Sequence, residues 1–301
     1  MKRWLMRIAI ALGVTIVLLL VYGAAVEPRF ILDEERWRVA LPELGEEWAG
    51  TDIAVMSDLQ IGMWWSNEGM VEKAVGEIVE DEPDLVLLGG DFLYSNEPDV
   101  STQVDRVVEL LDPLVSADIP TYAVLGNHDY VVGAADELTT ALEDAGIRVL
   151  RNAALPVPSP TAGADPLYLV GIGPETPHVP DVSGRADVEA ALADVPDDAP
   201  RVVLTHDPTT FDELPAGTAP LTLAGHTHCG QIALPGTPRW SYLALTEDEA
   251  IVADGWAPAK YGADGNRMFV TCGIGFSTVP LRINAPPQVA FFELVPGDGG
   301  L

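Results

Sequence analysis

Five short apolar runs in this chain each end in residues able to hold a cation or move a proton. Ile53–Met56 leads into Ser57-Asp58-Leu59-Gln60, Leu85–Leu88 into Gly89-Gly90-Asp91, and Tyr122–Leu125 into Gly126-Asn127-His128-Asp129. Val202–Leu204 leads into Thr205-His206-Asp207, and Leu221–Ala224 into Gly225-His226-Thr227-His228. Only five histidines occur in the 301 residues, and all but His178 stand in these places. Carboxylate, amide and imidazole groups are the common oxygen and nitrogen ligands of divalent metals. Strand ends at one edge of an α/β sheet would pool them into a site, and glycines beside three of the clusters permit close approach. Any one cluster could be a capped turn or a satisfied histidine. Five in series point to metal-assisted chemistry.

Such pooling requires strands that alternate with helices. The apolar runs predict strands at Ile53–Met56, Leu85–Leu88, Tyr122–Leu125, Leu167–Val170, Val202–Leu204, Leu221–Ala224, Met268–Val270 and Val289–Leu294. Helical spacing predicts Glu68–Glu80, Gln103–Leu111, Ala135–Ala145 and a shorter helix near Val188–Leu192. In the first, Val71, Ala74, Ile78 and Val79 fall on one stripe. This alternation is the signature of an α/β fold. A hydrophobic content of 48% is enough for a sizeable core, and Pro156–Pro166 and Pro235–Pro238 read as loops.

The series Asp58-x-Gln60, Gly90-Asp91, Gly126-Asn127-His128-Asp129, His206 and Gly225-His226-x-His228 resembles the calcineurin-like metallophosphoesterase superfamily, in the right order from about residue 50 to 295. The N-terminal apolar run, Glu27-Pro28 after it, and the segment from Gly273-Ile274-Gly275 to Ala285-Pro286-Pro287 are similar to its single-span, membrane-anchored bacterial branch, the YaeI/YkuE type. The resemblance implies a four-layer α-β-β-α sandwich of two mixed sheets with two metal ions at the strand ends. It implies that Asp91 bridges the metals, that Asp58 and His228 hold the first, and that Asn127, His206 and His226 hold the second. The mixed oxygen and nitrogen donors suit Mn, Fe or Zn, as divalent or mixed-valence ions. His128 is the candidate for protonating the leaving oxygen, with Asp129 either orienting that imidazole or stabilising the turn. Gln60 departs from the pattern, since histidine is usual there; as a neutral and weaker donor it implies a more labile first metal. The implied reaction is attack of a metal-bridged hydroxide on phosphorus in a phosphodiester, phosphomonoester or pyrophosphate. Substrates would be phosphorylated small molecules or lipids, including envelope precursors such as acylated UDP-sugars. The alternative is a catalytically silent, metal-stabilised envelope protein that binds partners.

Ile8–Val26 carries no charge, is close to the ~20 residues that cross a bilayer, and follows Lys2, Arg3 and Arg7. The expected organisation is a basic stub and transmembrane anchor, or a cleaved signal peptide, over 1–26. A connector over 27–50, a metallophosphoesterase domain over 51–296 and a tail over 297–301 follow. The run is longer than a usual signal-peptide core, and basic residues before it predict an extracytoplasmic catalytic domain. The net charge of −30 argues against a nucleic-acid partner. It reads either as a solvated shell for a salty environment or as an acidic host proteome.

Several residues stand outside the main series. Trp64 and Trp65 read as a substrate-pocket wall or as core aromatics. Arg282 reads as a phosphate-oxygen donor or a surface arginine. His178 reads as a solvated loop histidine. Cys229 and Cys272, beside His228 and Gly273, form a candidate disulfide outside the cytoplasm.

Overall fold

The computed structural model describes residues 2–159, 161–175, 184–234, 237–241, 252–258 and 261–297. His178 lies outside the described residues. The chain begins with α1 (Lys2–Val21), which passes through a wide π turn at Tyr22–Val26 into α2 (Glu27–Phe30). Pro28 has no N–H to return to the carbonyl of Ala24, and the helix widens just before it. Within the continuous helix Lys2–Phe30 an 18-residue stretch has a mean hydropathy of 2.5. The helix is long and apolar enough to cross a membrane.

Beyond it run β1 (Asp33–Leu41), β2 (Asp52–Met56), α3 (Glu68–Asp81), β3 (Leu85–Leu88), α4 (Val100–Ser116), β4 (Thr121–Ala123), α5 (Asn127–Val131), α6 (Ala135–Asp144) and β5 (Arg148–Val149). β6 (Ala153–Val157), β7 (Leu167–Ile172), α7 (Val188–Leu192), β8 (Arg201–Thr205), β9 (Thr222–Ala224), β10 (Ala233–Leu234), β11 (Thr237–Ser241), β12 (Gly255–Trp256), β13 (Met268–Val270) and β14 (Gln288–Pro296) complete the order. They form two mixed six-stranded sheets, β1-β14-β2-β3-β4-β5 and β12-β13-β9-β8-β7-β6, and a small β10-β11 pair.

Side-chain alternation builds the layers. Ala54 and Met56 of β2, with Val86 and Leu88 of β3, face a core shared with α3, α4 and α6. Their neighbours Ile53, Val55, Leu85 and Leu87 face the other sheet, where Leu169, Val202, Leu204, Leu223 and Phe269 meet them. On the far side Val170, Val203 and Val270 pack under α7 and the turn carrying Phe211. The result is four layers, helices outside two sheets, which is the expected fold class.

Two expectations need correction. Residues 27–50, read as a connector, carry α2 and β1, and β1 pairs in parallel with β14 from Asp33↔Gln288 to Leu41↔Pro296. As an edge strand, β1 alternates charged and half-buried residues, so its sequence is not an apolar run. Pro238, read as loop, lies in β11 of the small pair, and Pro156, also read as loop, lies in β6, another edge strand. There its missing N–H removes no interior ladder bond.

Candidate metal centre

Each candidate ligand sits one to four residues past a strand end: Asp58 after β2, Asp91 after β3, Asn127 after β4, His206 after β8, and His226 and His228 after β9. The loops are laced together by their backbones. Asp58 N–H donates to Gly90 O (2.9 Å), Gln60 N–H to Asp91 O (3.0 Å) and Gly225 N–H to His206 O (3.0 Å). Left-handed backbone, uncommon outside glycine, recurs at Asp58 (φ 58°), Gln60 (52°), Asp91 (53°), His226 (72°) and His228 (49°). Such residues cost about 1–3 kcal/mol each and persist where surrounding contacts over-determine them. The glycine at 225 is required by closeness, because a Cβ there would lie 2.6 Å from Asp58 Oδ2.

Asp91 lies at the middle of the cluster. Its Oδ2 is 3.3 Å from His206 Nε2 and accepts from Gln60 Nε2 at 2.8 Å; its Oδ1 accepts from the His128 N–H at 2.9 Å. His206 Nδ1–H donates to Gly89 O (2.8 Å), which turns Nε2 inward. That Nε2 lies 3.2 Å from His226 Nδ1. Ligand atoms of Asp91, His206 and His226 all fall within 4.8 Å of one another. On the other side His228 Nε2 is 3.4 Å from Asp58 Oδ1, and the His226 N–H donates to Asp58 Oδ2.

The electrostatics follow from burial. Burial opposes ionisation of Asp91, but the His206 imidazole against it holds its carboxyl well below the usual carboxylate range. Burial likewise works against a charged His206, and the Asp91 carboxylate overrides it and lifts the imidazole to about 10. His228, buried and near Arg282, is pushed down to about 4 and is neutral.

Three buried acceptors in this cluster, Asp58 Oδ1, Gln60 Oε1 and Asn127 Oδ1, have no hydrogen-bond partner among the described residues. A buried acceptor without a donor costs about 1–3 kcal/mol. Three of them, on loops whose neighbouring residues hydrogen-bond Asp91 and Asp58, match what a pair of divalent metals satisfies. The residues fit that group.

His128 faces the same cluster from α5. Its Nδ1–H donates to the Tyr94 carbonyl at 3.1 Å, and its ring stacks on Tyr94 at 5.2 Å. Nε2 is therefore the nitrogen left to exchange a proton. Asp129 does not orient it. Its carboxylate is fully buried and accepts from Leu93 N–H (3.0 Å) and Gly126 N–H (2.8 Å), so the turn-stabilising alternative is the observed one. Burial and the neighbouring Asp91 raise that carboxyl to about 7.

Arg282 also requires correction. It is wholly buried. Its guanidinium donates to the carbonyls of Gly275 (2.8 and 2.6 Å), Ala285 (3.0 Å) and Cys272 (2.9 Å) and lies 3.4 Å from His228 Nδ1. These donors are spent on the protein, so Arg282 braces the Gly273–Gly275 turn behind His228 and does not reach for substrate. Cys229 and Cys272 are disulfide-bonded with Cα atoms 4.6 Å apart, fastening the turn after His228 to the same segment. Trp64 is 75% exposed and Trp65 is also exposed, so neither is a core aromatic. Tyr94 is a residue that sequence reasoning missed. It acts through a main-chain carbonyl and a ring face, and neither leaves a motif.

The family model of the calcineurin-like phosphoesterases matches residues 51–230. A phosphodiesterase of Escherichia coli, YaeI, is 33% identical over 235 residues, covering 75% of this chain and 76% of the relative. The uncharacterised metallophosphoesterase YkuE of Bacillus subtilis is 26% identical, covering 81% and 79%. A dimetal phosphatase from Danio rerio superposes with a TM-score of 0.44 at 12% identity, over 77% of this chain and 90% of that one.

Proposed function

We propose, from the premise that the chain belongs to the calcineurin-like phosphoesterase family, that it is a membrane-anchored, dinuclear-metal phosphohydrolase whose site lies outside the cytoplasm. Members of this family use a pair of divalent metals and hydrolyse phosphoester bonds. The observation that carries the finer reading is that Asp58, Gln60 and Asn127, on the loops that meet at the Asp91–His206–His226 cluster, each leave a buried acceptor without a donor.

In this reading Asp91 would be shared between the metals, Asp58, Gln60 and His228 would hold one, and Asn127, His206 and His226 would hold the other. Mn, Fe and Zn are the metals whose preferences match this donor set. When bound, the pair supplies Lewis acidity at phosphoryl oxygens and a nucleophile at neutral pH. The protein supplies position and protons. His206 and His228 are held by Gly89 O and Arg282 respectively, so neither ring need reorganise. His128 Nε2, oriented through Nδ1 and the Tyr94 ring, donates a proton to the leaving oxygen. The apolar helix Lys2–Phe30 supports action on phosphodiesters, phosphomonoesters or pyrophosphates at or near a lipid phase, and the family resemblance alone adds acylated UDP-sugars to them.

The test uses the full chain with Mn on bis-p-nitrophenyl phosphate and p-nitrophenyl phosphate. Asp91→Asn is expected to lose bound metal and turnover together. His128→Ala should keep its metal and lose about 10²–10⁴-fold in kcat, with the larger loss on esters of poorer leaving groups. Absence of turnover with every divalent metal tried, on both substrates, would favour a metal-stabilised binding protein.

A further inference from the structure

The end of the apolar helix is not tethered to the catalytic domain; it is built into it. Every described residue from Lys2 to Tyr22 is exposed, and burial begins at Gly23. Gly23 O accepts from Arg282 N–H at 2.8 Å. A Cβ on Gly23 would strike Ile283 and lie 2.8 Å from Arg282 O. The Glu27 carboxylate, buried, accepts from Asn284 N–H (2.9 Å) and Ala285 N–H (2.7 Å). Arg29 donates to Ser66 O (2.5 Å) and Trp65 O (2.9 Å), and its guanidinium lies 4.7 Å from the Trp65 ring. Asn67 closes the joint by donating to Pro28 O (2.9 Å) and Ile274 O (3.0 Å).

The exposed apolar side chains of the domain cluster on the segments that grip this helix end. Beyond Val26, the large apolar residues exposed among those described are Phe30, Ile31, Trp64, Trp65, Ile232, Leu234, Val279 and Val131. All but Val131 lie on the helix exit or its clamps. Phe30 and Ile31 are the exit, and Trp64 and Trp65 are on the loop held by Arg29. Ile232 bridges Ile283, the residue against Gly23. Leu234 O accepts from Asn284, and Val279 O accepts from Gln231 beside Ile232. Contiguous exposed apolar surface marks a binding face, and tryptophan is enriched where a span leaves the bilayer.

We propose that this collar (Phe30, Trp64, Trp65, Ile232, Leu234 and Val279) is a lipid-docking surface that seats on the leaflet into which the helix runs and holds the catalytic domain in one fixed orientation. Lipid is the occupant because the collar surrounds the emerging end of an apolar helix. The uncharged run Ile8–Val26, at 1.5 Å rise, spans about the 30 Å of a hydrocarbon core, which brings the collar to the level of the interface. The same clamps reach the site. Trp64 follows Gln60 within one loop, Gly275 N–H donates to Asp58 O, and Arg282 touches both Gly23 and His228. The proposal rests on α1 spanning a bilayer, and it stands whether or not the metal centre is catalytic.

The test is site-directed spin labelling of the full chain in phosphatidylcholine nanodiscs, with Trp64→Cys, Leu234→Cys and, as control, Glu143→Cys on the exposed face of α6. The two native cysteines are bonded to each other, and the unsubstituted chain checks that they take no label. Labels at 64 and 234 are expected to collide with oxygen severalfold more than with a water-soluble nickel chelate, and the label at 143 should show the reverse. Water-like labels at 64 and 234 overturn the proposal. Labels shielded from both relaxants also overturn it, in favour of a second copy or another protein on this face. None of these readouts depends on turnover.

Discussion

At Gln60 an amide occupies a position where imidazole would be the stronger donor to a transition metal. Its Nε2 is committed to Asp91 Oδ2, while its Oε1 is buried without a donor. One amide can therefore steady the Asp91 carboxylate and, in the proposed reading, would offer an oxygen to a metal on the Asp58 side as a weaker donor than imidazole. Gln60→His is expected to raise metal retention after dialysis against a chelator by about tenfold, the low end of what ligand-level changes do to affinity. Metal analysis with turnover on the same samples reads it. If both are unchanged, Gln60 supports Asp91 and ligates nothing.

Among the elements, the helix exit carries the sharpest energetic commitment. Glu27 is 3% exposed and satisfies two backbone donors, so Glu27→Ala would strand the N–H groups of Asn284 and Ala285. A cost of about 2 kcal/mol follows from charge-assisted bonds of this kind, or roughly 4–8 °C in Tm for a domain of this size. Thermal unfolding of the full chain in detergent measures it, with Glu27→Gln keeping part of the stability. An unchanged Tm would mean the joint is only a crystal-like contact without energetic weight. The elements also divide by how visible they are in the sequence. Buried strands such as β2, β3 and β8 are continuous apolar runs, and the candidate ligands fall just past them, so most of the candidate site could be read from the chain. β1 could not, because an edge strand with one solvated face carries Glu34, Arg36 and Arg38 in alternation. Nor could the roles of Asp129 and Arg282. Both depend on which backbone groups come within reach, and spacing along the chain does not record that.

For the whole molecule, the formal charge of −30 makes self-repulsion a term in stability. Asp254 concentrates it: burial first, then the nearby Glu35 and Asp33, raise its carboxyl to about 6. A folded-state value above the ordinary 3.8 means the native protein holds that proton more tightly than the unfolded chain. Its stabilising effect is complete below about pH 4 and is lost as pH rises through 6. Stability should therefore climb as pH falls from 7.5 to 5.5, and Asp254→Asn should remove its share of that slope, leaving the share of Asp129, while adding about 1–2 kcal/mol at pH 7.5. Salt acts in the same direction on the exposed acids, because the screening length shrinks from ~30 Å at 10 mM to ~3 Å at 1 M. Tm in a non-ionic detergent, scanned against sodium chloride and pH for both chains, separates the two effects: salt should raise both chains alike, and only the native chain should gain the full amount from acid. A Tm that ignores salt over that range would show that the acidic surface is solvated well enough to leave folding untouched, and the stability argument from net charge would fail with it.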